Sequence, residues 1–175
     1  MISLKAFKPD DFDLMISWMD SEELLIQIAG PYFSYPLTPA QLQKYLADEH
    51  SVAYSLFDEE TDTIFGHAEI ILKEQHLCKL DKIIIGNTQY RGKGLGHQIM
   101  KELLKVSFGK YKAETVELYV YDWNTTAIKL YEKVGFLIDT SLELRTEVEG
   151  KIWKAIRMSI KKHQWPSVSL KLPGY

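Results

Sequence analysis

Read from its N-terminus, the chain alternates stretches in which apolar residues recur at every second position with stretches in which they recur at every third or fourth. Residues 2–7 predict a first strand. Pro9 and Asp10 open a helix that carries Phe12, Met15, Ile16 and Met19. Residues 30–36 form a loop, because Gly30, Pro31 and Pro36 break regular structure. A second helix starts after Thr38, its cap, with Pro39 in the first position, and includes Leu42, Tyr45 and Leu46. Strands over 51–57 and 63–72 flank a polar turn, and a third covers 77–85. A glycine-rich loop then feeds a helix over 94–108, with Leu95, Ile99, Leu103 and Leu104 on one face. A strand over 115–121, a helix over 124–134 and an antiparallel pair over 136–144 and 152–160 complete the order.

Strands that first meander and then alternate with helices imply an α+β sheet with helices on both faces. The strand–helix–strand crossover puts the glycine loop at the carboxyl end of a strand, where ligands commonly bind. Residues 1–162 read as one domain, followed by a tail, 163–175, whose role the sequence does not reveal.

Composition narrows the function classes. With 46% hydrophobic and 26% charged residues in 175, the chain is long enough for one sizeable core and is not disordered. A net charge of -3 gives no bulk attraction for nucleic acid or an anionic membrane. Cys78 is the only cysteine, so no internal disulfide can form, and a reducing compartment is expected. Charges at Lys5, Lys8 and Asp10 interrupt the N-terminus too soon for a signal-peptide core, and no apolar run is long enough to span a bilayer. The expected location is the cytoplasm.

The densest chemical signal is Arg91-Gly92-Lys93-Gly94-Leu95-Gly96-His97, between an Ile-rich strand and an amphipathic helix. Its glycines let the backbone approach a ligand, and the helix start offers unpaired N–H groups to an anion. Arg91 and Lys93 add positive charge, which suits a pyrophosphate. A dinucleotide fingerprint starting at Gly92 would need glycine where His97 stands, and the Gly-Lys-Ser/Thr of a P-loop is missing. A plain helix-capping turn would not need this concentration of glycine and cations.

A second segment, from Tyr121 to Phe136, places Asn124 as a helix N-cap, Ala127 and Tyr131 four apart on one face, and Gly135 at a left-handed helix end. Alone, Asn124 is merely a cap and Tyr131 a core aromatic. Together, the two segments resemble the GNAT superfamily of N-acetyltransferases. Arg91-Gly92-Lys93-Gly94-Leu95-Gly96 is similar to that family's Arg/Gln-x-x-Gly-x-Gly/Ala loop, and Asn124, Ala127, Tyr131 and Gly135-Phe136 to its later motif. The strand pair around Glu143 and Trp153 looks like the branch of ribosomal-protein and spermidine acetyltransferases.

The resemblance implies a mixed, mostly antiparallel sheet of about six to seven strands, splayed at a cofactor site. It implies acetyl-CoA as co-substrate, with Ile83, Ile84 and Ile85 beside the pantetheine arm and residues Arg91, Gly92, Lys93, Gly94, Leu95, Gly96 and His97 around the pyrophosphate. Asn124 and Ala127 would support the cofactor, and a backbone N–H near Ile84 would stabilise the oxyanion. Tyr131 would protonate the departing thiolate, since ordinary phenol and thiol pKa values lie near ~10 and ~8.5.

An acceptor amine must first lose a proton. Glu69, in an apolar strand that would raise its pKa, is the leading candidate for the base; Asp81 has Lys79 and Lys82 as obvious partners. Cys78 reads as a buried small hydrophobe, and His67 and His97 show no metal-ligand spacing, so no metal is expected. Tyr32, Phe33 and Tyr35 are candidates to wall the acceptor site. The reading is transfer of acetyl to a small-molecule, protein or peptide amine through a ternary complex. A non-catalytic acyl-CoA-binding or sensor domain is the alternative, and a homodimer stays open.

Overall fold

The computed structural model describes residues 1–74 and 76–165. Its elements run β1 Ile2–Ala6, α1 Phe12–Trp18, α2 Glu22–Ala29, α3 Pro39–Leu46, β2 Ser51–Asp58, β3 Thr63–Lys73, β4 Leu77–Ile85, α4 Leu95–Gly109, β5 Thr115–Tyr121, α5 Thr125–Val134, β6 Leu137–Val148 and β7 Lys151–Lys161. The strands form one seven-stranded sheet in the order β1-β2-β3-β4-β5-β7-β6. Every neighbouring pair is antiparallel except β4 and β5, which α4 connects as parallel strands require.

Each face of the sheet carries its own core. On one face Ile99, Met100, Leu103 and Leu104 of α4 pack on Phe65, Ala68, Ile70, Leu80 and Leu118. On the other, Met15, Leu25, Leu42 and Tyr45 of α1, α2 and α3 gather with Phe7 and Ile84. Each fully buried side chain of this size contributes about 1.5–3 kcal/mol relative to an exposed one. Among the described residues no helix is long and apolar enough to cross a membrane.

Two expectations need correcting. Helix α2 lies where the sequence pattern suggests no element, directly before the loop at Gly30. Its signals are present but short: Ser21 caps it by accepting from the Leu24 N–H, and Glu22 and Glu23 occupy the first turn. Eight residues make too few turns for the apolar period to stand out from α1. Strand β6 also runs on to Val148, past a register shift between Asp139 and Glu143. Residues 166–175 of the tail lie outside the described residues.

One irregularity in the sheet sets the direction of several side chains near the parallel pair. His67 pairs with Ile84 and Glu69 with Asp81, so one residue of β3 faces two of β4, Lys82 and Ile83. Lys82 takes a φ of 49° within this bulge. Before it, Cys78 and Leu80 face the α4 core; after it, Ile84 faces the α1–α3 core. The same bulge turns Lys82 towards Tyr32, Phe33 and Tyr45. Strict alternation would have sent it into the α4 core with Leu80.

Candidate active site

Strands β4 and β5 are hydrogen-bonded only from Leu77 opposite Thr115 to Leu80 opposite Leu118. Beyond Leu80 they part, and a crevice of about 60 Å³ opens, lined by Asp81, Lys82 and Ile83 on one side and Tyr119, Val120 and Tyr121 on the other. Asn124 and Tyr131 of the α5 segment reach it, and Gln27 and Ile28 of α2 close it from the opposite face.

Tyr131 is half-buried, with its ring 6.0 Å from that of Phe136. Burial, and secondarily the Asp81 carboxylate, push its phenol up to about 12. It is therefore protonated at neutral pH and available as a donor. A thiolate released into such a poorly solvated crevice would be a stronger base than in water, which would narrow the mismatch between the two. Asn124 Oδ1 accepts from the Ala127 N–H at 3.2 Å, so it does cap α5. Of the three isoleucines expected beside a cofactor, only Ile83 lines the crevice. Ile84 is buried in the α1–α3 core, and Ile85 is paired with Gly66.

The glycine loop lies between β4 and α4. Gly92 and Gly94 have φ of 73° and 72°, and a Cβ built on either meets nothing within 4 Å. What glycine supplies there is the left-handed backbone itself, not relief from a neighbour. Gly94 caps α4 without a side-chain hydrogen bond, so the first-turn N–H groups of Leu95, Gly96 and His97 stay open to an anion. Gly96 also gives room for packing, since a Cβ there would come within 2.7 Å of a Leu130 methyl, which would have to shift. Arg91 is less free than its sequence context suggests. Its Nε donates to the Ile85 carbonyl at 2.9 Å, and its Nη2 reaches the Gly86 carbonyl. Lys93 lies over the Tyr90 ring.

Glu69 is on the face opposite Ala68 and Ile70, as alternation predicts, but its surroundings are not simply apolar. Lys82 Nζ sits 2.5 Å from Glu69 Oε2, with both side chains 2% exposed. Tyr32, Tyr45 and Phe33 enclose the ammonium, with ring centroids 4.2, 5.1 and 6.0 Å away. Beneath lies His67, fully buried and bonded through Nε2 to the Tyr45 hydroxyl at 3.1 Å. Burial, with the Lys82 charge adding to it, lowers His67 to about 3. Asp81 is held by Lys79 at 2.8 Å and is nearer the crevice than Glu69, which does not line it. Sequence reasoning missed Lys82 as a site residue. Nothing in the local pattern announces the bulge that turns it inward.

Residues 18–136 match the model of the acetyltransferase (GNAT) family. The chain belongs to that family. The matched segment holds the parting strands, the glycine loop and α5, while β6 and β7 lie outside it. The GNAT fold is shared with the spermidine N-acetyltransferase of Vibrio cholerae solved with CoA and spermine. That similarity has a TM-score of 0.79 over 93% of this chain and 96% of the other, at 20% identity. The spermine/spermidine N(1)-acetyltransferase of Bacillus subtilis (strain 168) is 34% identical over 68 residues, which are 39% of this chain. That match spans 44% of the relative's own length. Acetyltransferase PseH of Campylobacter jejuni is 25% identical over 141 residues, covering 79% of this chain and 86% of that one.

Proposed function

We propose that this chain is an acetyl-CoA-dependent N-acetyltransferase that acts on a primary amine while both substrates are bound. The observation that carries the reading is the crevice where β4 leaves β5, lined by Tyr131 and placed after the strand that feeds the glycine loop. The residues present suit the co-substrate. Gly92 and Gly94 leave open space where side chains would stand, and α4 begins with uncapped N–H groups. The main chain of residues 91–97 would hold the pyrophosphate, and Ile83 and Asn124 would flank the arm. Acetyl-CoA would supply an acyl group activated as a thioester.

The chain's own part is then positioning and proton management. Tyr131 holds the proton that the leaving thiol requires. Glu69 is paired with Lys82 and does not line the crevice, and Asp81, which lines it, is held by Lys79, so the acceptor amine sheds its proton to water admitted beside Asp81. Cys78, 2% exposed and absent from the crevice, is not placed to carry an acetyl group, which favours direct transfer. The narrow crevice favours a small amine over a protein chain. Relatives named for spermidine and spermine acetylation make a polyamine the first acceptor to try. Leu137, Leu142 and Leu144, exposed along β6 at the sheet edge, support self-association; a homologue of this fold has been solved as a dodecamer.

The deciding experiment is release of free thiol from acetyl-CoA across a panel of amines. Amine-dependent release is expected. Tight acetyl-CoA binding with no release for any amine would instead identify a non-catalytic sensor.

A further inference from the structure

Beside the crevice, and sharing Gln27 with it, runs a shallow groove of about 460 Å³ lined by Ser21, Glu23, Leu24, Gln27, Trp123 and Trp153. Its wall is a continuous aromatic cluster. Tyr121, which lines the crevice, stacks on Trp123 with centroids 5.8 Å apart and planes 4° apart. Trp153 stands nearly perpendicular to both, 5.1 Å from each. Aromatic surface thus leads from the crevice out to solvent, where Trp123 remains 45% exposed.

The charge in the groove is one-sided. Glu23 is exposed and makes no ion pair among the described residues, and neither lysine nor arginine lines the groove. The inner carboxylates are different: Glu69 and Asp81 are both neutralised by lysines of β4. A cation arriving at this face therefore finds its unmatched negative charge in the groove. Trp153 lies beyond the 18–136 segment that the family model matches.

We propose that the groove is a second acceptor subsite, which takes an alkylammonium or quaternary ammonium group tethered to the reacting amine. This assignment rests on the acetyltransferase reading of the neighbouring crevice. An ammonium over an indole face is attracted by the ring quadrupole, Glu23 supplies the counter-charge, and Leu24 covers the alkyl tether. An acceptor with a single amine can reach the groove only with its alkyl chain and lacks the ammonium contact with the indole and Glu23.

The test compares diaminooctane with octylamine in the thiol-release assay, using the unaltered chain, Glu23→Gln and Trp153→Leu. For the diamine, KM rises roughly two- to fivefold in each variant while kcat holds, in keeping with an exposed cation–π or ion-pair contact. The constants for octylamine stay unchanged in Glu23→Gln and move far less than those for the diamine in Trp153→Leu, which keeps an apolar side chain. Equal effects on both amines, or none on the diamine, overturn the subsite. If no amine releases thiol, the activity reading fails, and the groove is judged separately by titrating octyltrimethylammonium against tryptophan fluorescence without acetyl-CoA. A saturable response that both substitutions abolish upholds the groove; no saturable response, or one that survives them, overturns it.

Discussion

Replacing Lys82 with Met tests the buried pair enclosed by Tyr32, Phe33 and Tyr45. Lys82 and Glu69 are each 2% exposed and their charged atoms lie 2.5 Å apart, so neither has water as a substitute partner. Methionine keeps most of the volume and lies comfortably against Tyr32, Phe33 and Tyr45, which isolates the loss of charge from the loss of packing. The variant leaves a carboxylate buried and uncompensated, which typically destabilises by about 3–5 kcal/mol. For a domain of this size, that lowers the melting temperature by roughly 6–20 °C. The sign with pH is also fixed. An unpaired buried carboxylate has a folded-state pKa above its unfolded value near ~4.3, so Lys82→Met recovers stability as pH falls towards that value and loses it as pH rises. The double variant Lys82→Met/Glu69→Leu removes both charges and returns most of the loss. Urea unfolding between pH 5 and 8 by circular dichroism is the measurement. A single variant as stable as the parent, or one whose deficit is independent of pH and not rescued by the double variant, would refute the reasoning.

Three further outcomes are expected. Tyr131→Phe lowers kcat by roughly 10²–10⁴-fold with little change in acetyl-CoA affinity, and unaltered turnover with the best amine would reduce Tyr131 to a packing residue. Gly94→Val forces a β-branched residue into a φ of 72°, so calorimetry should show acetyl-CoA binding weakened or lost; unchanged affinity counts against the loop. His67, lowered to about 3 from an ordinary 6.5, favours the fold while neutral, so its contribution is complete above pH 6.5 and declines as pH falls towards 3. His67→Gln should flatten the stability curve between pH 7 and 5, and an identical slope in parent and variant would contradict that.

The parts of the fold that sequence reveals are those where a local rule and the tertiary outcome agree. Asn124 is legible as a cap because its carbonyl needs only the Ala127 N–H three residues on. Glu69 falls on the expected face because β3 alternates regularly between Ala68 and Ile70. Its partner is hidden for the same physical reason in reverse. Lys82 reaches Glu69 only because a bulge breaks alternation in β4, and a single left-handed residue leaves no periodic trace. The glycine loop announces an anion site through composition, yet Arg91, read as a phosphate ligand, commits its guanidinium to the carbonyls of Ile85 and Gly86. The groove of Trp123 and Trp153 joins residues thirty apart in sequence to α2, and no local pattern could have brought them together.

The short pairing of β4 with β5 gives the sheet two mechanical halves. Within the sheet only the stretch from Leu77 opposite Thr115 to Leu80 opposite Leu118 joins them by hydrogen bonds, and past it each strand keeps its outer partner, β3 or β7. Main-chain groups that face the gap are consequently exchangeable with solvent while their immediate neighbours are locked, so amide protection should alternate residue by residue along 119–121, an alternation that the bulge at Lys82 and Ile83 interrupts in β4. A ligand arm that fills the gap then acts as a stitch between the halves. It would protect the unpaired amides and stiffen the sheet across a line that the polypeptide itself leaves open.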